Sequence, residues 1–128
     1  MTIAYWCVLA AMFLPYLSTG IAKFQGGFGP RQNHNPREFL ETLEGGRKRA
    51  HWAQQNGFEA TPAFAAAVII AHLAATSPQG TIDGIAVAFV ASRILFTICY
   101  VADWASARTL VWAFGMGCIV ALFVGVGS

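Results

Sequence analysis

The sequence predicts an all-α integral membrane protein, a bundle of four spanning helices, and three observations carry that reading. Of 128 residues, 56% are hydrophobic and only 11% charged, and the mean hydropathy is +0.54; a soluble domain carries about 25% charged residues. Four apolar stretches, Thr2 to Ala22, Phe58 to Ala75, Ile82 to Ala102 and Thr109 to Val126, approach the roughly 20 residues a helix needs to cross the hydrocarbon core. All are continuously apolar, without the alternation of a barrel strand.

The first stretch has no Lys or Arg ahead of it and is longer than the core of a secretion signal, so it reads as a retained span. Pro15 inside it should kink the helix or oblige a neighbour to satisfy the carbonyl it frees. In the polar connection that follows, Gly26-Gly27-Phe28-Gly29-Pro30 is turn chemistry, and Asn35 with Pro36 marks a helix start as N-cap and first helical residue. Glu38 and Glu41 suit early helical turns until Gly45-Gly46 interrupts them. Arg47 to Ala75 then reads as one long helix whose first turns stand in the headgroup zone. Rows of small residues, Ala67, Ala71 and Ala75 in the second span and Gly117, Ala121 and Gly125 in the fourth, mark places where helices touch. No repeat or low-complexity tract divides the chain, so residues 1–128 read as one domain.

The basic residues set the orientation. Lys23, Arg31, Arg37, Arg47, Lys48 and Arg49 fall between spans one and two and Arg108 between three and four, whereas Thr76 to Thr81 has none. The first and third connections therefore belong in the cytoplasm and both termini on the other side. The net charge of +2 is accounted for by these loop charges; the partner it implies is the bilayer, not nucleic acid. Cys7, Cys99 and Cys118 lie in three different spans and read as small apolar packing residues, with a reactive thiol open at Cys99 beside Tyr100. His34, His51 and His72 are scattered without ligand spacing, so no metal site is expected. Trp6, Trp104, Trp112, Tyr5 and Tyr16 are interfacial or packing aromatics.

Ionisable chemistry inside the spans marks where function is sought. A charge in hydrocarbon costs about 2.5–3.5 kcal/mol on insertion scales, so it is rarely present without a partner or a task. At about 100° per residue, Arg49, Trp52, Asn56 and Glu59 fall within roughly 80° of one another and form a polar stripe descending into the membrane. Trp52 on that stripe suits either a ligand or the headgroup level. Arg93 and Tyr100 share a face of the third span with Phe96 between them. Glu59 lies ten residues beyond Arg49 and Arg93 ten before Asp103, placing both at similar depth, which predicts that they pair across two helices. Asp103 could cap the third span or pair with Arg108.

These residues resemble a family. Arg49-Ala50-His51 followed by Asn56-Gly57-Phe58-Glu59-Ala60-Thr61-Pro62-Ala63-Phe64 is similar to the R-A-H, N-x-x-E-x-x-P-x-F signature that opens the second helix of the MAPEG family, the membrane-associated proteins in eicosanoid and glutathione metabolism. Ala91 to Tyr100 is similar to its third-helix A-R-x-x-Y-x-x-x-Y pattern. The resemblance, to a bacterial-type member, implies a homotrimer in the inner membrane with glutathione as co-substrate between subunits near the cytoplasmic side. It implies that Arg49, Asn56, Glu59, Arg93 and Tyr100 bind the tripeptide and that Arg108 is the catalytic residue stabilising its thiolate. Arginine forks suit the two carboxylates of glutathione, Glu59 its amine, and a nearby cation favours a thiolate. Three positions depart from the pattern: Trp52 stands where the family has arginine, Ala60 replaces an aromatic hydroxyl, and Phe96 replaces a tyrosine. Two function classes follow, a glutathione-dependent transferase or peroxidase acting on hydrophobic electrophiles, and a non-catalytic membrane subunit or scaffold that keeps the fold.

Overall fold

The computed structural model describes residues 1–24 and 29–126, apart from the side chains of 21, 22 and 24. The helices are α1 (Ile3–Phe24), α2 (Pro36–Glu41), α3 (Gly45–Ala74), α4 (Gln79–Val101) and α5 (Ala105–Val124), with a 3-10 turn at Gln32–His34 before α2. α1, α3, α4 and α5 are long and apolar enough to cross a membrane. Leu17, Leu73, Leu110 and Val124 are 66, 78, 73 and 76% exposed, an exterior suited to lipid and costly in water. The glycine-rich turn expected at 26–30 lies outside the described residues for 26–28.

Pro15 shapes the meeting of α1 and α3. Lacking an N–H, it leaves the Ala11 carbonyl without its helical donor. The Thr61 hydroxyl of α3 comes within 3.3 Å of that oxygen while donating at 2.7 Å to the Gly57 carbonyl in its own helix. Gly57 itself lies against the proline: a Cβ there would be 2.7 Å from Pro15 Cγ, so a side chain at 57 would push the helices apart. Along the same seam α3 buries Ala60, Phe64, Ala67, Val68 and Ala71, and Phe64 stacks on Phe89 of α4 at 4.0 Å between ring centroids.

Helix ends are tied by specific bonds. Asn35 caps α2 as the sequence suggested, its Nδ2 donating at 2.7 Å to Glu38 and its Oδ1 accepting from the Glu38 N–H at 3.5 Å, with Pro36 at the first position. Asp83, which the sequence reading did not single out, accepts the Ala4 N–H at 2.9 Å and Gln79 Nε2 at 2.8 Å, so α4 supplies an anion to the positive end of α1. At the other end of α5 the Leu122 carbonyl accepts from Thr76 Oγ at 2.8 Å and the Val126 N–H donates to Ser77 Oγ at 2.7 Å. Gly125 is required there, since a Cβ would strike the Thr76 carbonyl.

Of the two small-residue rows, Ala67 and Ala71 are fully buried against neighbouring helices, but Gly117 has nothing within 4 Å of a notional Cβ. The close approach between α4 and α5 falls instead at Gly115, whose Cβ would lie 3.1 Å from Ser92 Oγ. The connection from α4 to α5 is also shorter than expected. Asp103, at φ 62°, reverses the chain, the Trp104 N–H donates to the Cys99 carbonyl at 2.9 Å, and α5 starts at Ala105. Arg108 therefore sits in the first turn of α5 and not in a loop.

Ala75 ends α3 in the left-handed region, at φ 50°, where a Cβ costs about 1–2 kcal/mol and glycine is the usual occupant. Ala75→Gly is therefore expected to stabilise the protein by about 1 kcal/mol, read as a higher unfolding temperature in detergent. An unchanged or lower temperature would count against the strain at this position.

Candidate functional site

The polar residues singled out from the sequence gather, with one exception, along the C-terminal half of α4. Arg93 is 6% exposed. Its Nη2 donates at 2.7 Å to Asn56 Oδ1 on α3, and its guanidinium carbon lies 4.3 Å from the centroid of the Phe96 ring, one turn along its own helix. The neutral amide oxygen and the ring face replace part of the hydration lost on burial. From Phe96 the series continues to Tyr100, set edge-on at 5.5 Å and 75°, and then to Arg108 of α5, whose guanidinium carbon lies 4.4 Å from the Tyr100 centroid. Two cations thus bracket two rings in a series that runs from the bundle interior to the end of α4 that meets α5.

That ladder depends on local folding. Arg93, Phe96 and Tyr100 recur at three- and four-residue spacing, which stacks them on one side of α4. The left-handed turn at Asp103 brings the first turn of α5 back over that side, delivering Arg108 to Tyr100. Asp103, considered as a partner for Arg108, is exposed and its side chain makes no hydrogen bond among the described residues. Phe96, noted as a departure from the tyrosine pattern, is 3% exposed and supplies the ring between the two polar neighbours. Its hydrophobic face is what a buried guanidinium uses.

Arg49 is close by in a different role. Its Nε donates at 3.0 Å to the Val101 carbonyl at the end of α4, where a cation meets the negative helix terminus. Around it Leu40 and Ala50 form a small core with Phe39, Leu43 and Val101, which seats α2 on the N-terminal end of α3 and the C-terminal end of α4. Lys48 donates at 2.7 Å to the Glu41 carbonyl and lies 5.9 Å from the Trp52 ring centroid. Trp52 is 44% exposed, an arrangement suited to the headgroup level.

Glu59 is the exception. The expected pairing with Arg93 is not formed: Glu59 is exposed, whereas Arg93 is buried and bonded to Asn56. Equal depth along two helices does not fix their rotation, and the Asn56 side chain, one turn before Glu59 on the polar stripe, occupies the place facing α4. Cys99 is 3% exposed, which removes the access a reactive thiol needs. Among the described residues no group of three His, Cys, Asp or Glu converges as a metal site would require.

The sequence model of the MAPEG family matches residues 3–128, essentially the whole chain. No curated protein and no solved structure matches it.

The Arg93–Asn56 bond is the test of this geometry. Asn56→Ala leaves the buried guanidinium without its side-chain acceptor, and is expected to cost about 2–3 kcal/mol, seen as a lower unfolding temperature. Asn56→Asp, which keeps an oxygen acceptor, should retain most of the stability.

Proposed function

The chain belongs to the MAPEG family, and from that premise we propose that it is a glutathione-dependent membrane enzyme, a transferase or peroxidase acting on hydrophobic electrophiles. It acts as a homotrimer, each subunit a single domain over residues 1–128, in a bacterial inner membrane with both termini away from the cytoplasm. Members of the family generally use glutathione.

The observation that carries the proposal is the exposed carboxylate of Glu59. α3 runs to Ala74, and about 20 residues fill the hydrocarbon core, so Glu59 lies a few residues inside its cytoplasmic boundary. An acid there is costly against lipid, and among the described residues no cation pairs with it. An ammonium group from a ligand, at a surface shared with a neighbouring subunit, answers that need. Tyr100 and Arg108 stand at the cytoplasmic end of α4, with Arg108 half-buried. A cation so placed lowers the pKa of a thiol and favours the thiolate as nucleophile. Arg93, sealed by Asn56 and Phe96, orients the Asn56 amide more than it reaches outward, and Arg49 offers its remaining N–H groups beside Val101.

In the transferase reaction a carbon–sulfur bond forms at the electrophilic carbon, the thiol proton passes to water, and the displaced group leaves with its bonding pair. In the peroxidase reaction two thiols are oxidised to a disulfide while a hydroperoxide is reduced to an alcohol and water. An apolar groove of about 440 Å³ between α4 and α5, lined by Ala88, Ala91, Leu95, Leu110, Val111 and Phe114, is suited to a substrate arriving through the bilayer.

A specific observation favours a second reading. Arg93 and Arg49 are both engaged in bonds that hold the bundle together, as in a non-catalytic subunit or scaffold that keeps the fold. Calorimetric titration with glutathione separates the two. The enzyme reading expects saturable binding that weakens at least about tenfold, or 1.4 kcal/mol, in Glu59→Gln; a folded protein that shows no saturable binding would leave the scaffold.

Turnover provides a further check. Arg108→Ala is expected to lower kcat by about a hundredfold with a smaller change in glutathione affinity. Unchanged turnover would remove Arg108 from the mechanism.

A further inference from the structure

Arg93 carries one more nitrogen than its neighbours satisfy. While Nη2 donates to Asn56, Nη1 is buried and has no hydrogen-bond partner. A buried charged donor left in that state costs more than a neutral one does. Arg93 also lines a cavity with Ala11, Pro15, Ser18, Thr61 and Thr97, where the centre of a water-sized sphere can range over about 10 Å³. A cavity that admits the centre of such a sphere has room for a water.

The lining supplies the other partners that a buried water needs. Pro15 leaves the Ala11 carbonyl without its helical donor, and the Thr61 hydroxyl that approaches it has one proton, donated at shorter range to Gly57. Ser18 on α1 is 2% exposed, and its hydroxyl makes no hydrogen bond to a described residue. A cationic donor, a carbonyl with lone-pair capacity and a free hydroxyl meet the two to four partners typical of buried water.

We propose that this cavity is a binding site for one structural water, which accepts from Arg93 Nη1 and donates to the proline-freed turn of α1. The water ties α1 to α4, as Asn56 ties α3 to α4, so the guanidinium joins three of the four spanning helices. The inference is independent of glutathione binding and holds for an enzyme and a scaffold alike.

The test is an experimental structure of the full chain in lipid or detergent, at about 2 Å or better, together with thermal unfolding of Ser18→Ala. The expected result is an ordered density about 2.7–3.2 Å from Nη1 and an unfolding temperature lowered by a few degrees in the variant, because the water loses a partner. Were the hydroxyl unpartnered, its removal would leave the temperature unchanged or raise it. Absence of density at that position, or an unchanged or raised temperature for Ser18→Ala, overturns the proposal.

Discussion

Arg93 is 6% exposed within a spanning helix, and the residues around it answer the cost of holding a permanent charge away from water. Insertion of an arginine at the centre of a membrane helix costs about 2.5–3.5 kcal/mol. A charge-assisted hydrogen bond contributes about 1.5–3 kcal/mol and a desolvated ring face about 2 kcal/mol, so Asn56 and Phe96 together are of the right size to offset it. The arginine in turn constrains its neighbours. Position 56 must present an acceptor to α4, and position 96 must present an apolar ring to the cation's face. A tyrosine hydroxyl at 96 would need a partner of its own in a site where Phe96 needs none.

The same charge dictates how closely the helices approach. Short side chains hold the bundle near Arg93: Gly57 admits Pro15, Ala53 and Ala60 are buried on α3, and Gly115 admits Ser92 beside Arg93. Between helices in lipid, where no hydrophobic force acts, such contacts and interhelical hydrogen bonds supply the attraction. Pro15 contributes by opposite means. It removes a helical bond from α1 and exposes a carbonyl to the seam, converting a defect within one helix into an acceptor for its neighbours.

Much of this arrangement was legible in the sequence because the governing quantities are local. Length and apolarity locate the four spans, Asn35 and Pro36 mark the start of α2, and Pro15 signals a carbonyl in need of a donor, which Thr61 approaches while donating to Gly57. What was not legible depends on rotation between helices. Residue spacing puts Glu59 and Arg93 at one depth, but a helical wheel gives directions about a single axis only, and Asn56, on the same stripe, faces α4. Apolarity weakens before Thr109, which by sequence alone leaves Arg108 in a loop; the left-handed turn at Asp103, which starts α5 four residues earlier, has no hydropathy signal. Asp83 sits at the head of an apolar run, and only the fold reveals that the N-terminus of α1 lies opposite it.

The separation of Glu59 from Arg93 bears on the proposed function more than their pairing would have done. A salt bridge inside the bundle would satisfy both ions and leave nothing for a charged ligand to gain, since displacing either partner strands the other at a cost of several kcal/mol. Here the cation is held internally by a neutral acceptor and a ring, and the acid faces outward from the same level of the bundle. The interior is thereby stable whether or not a ligand is present, while the outward carboxylate retains its affinity for an ammonium group. Under the proposed function, a protein that must hold its fold in the membrane and still bind a zwitterionic partner at a shared surface has reason to keep those two tasks on different residues.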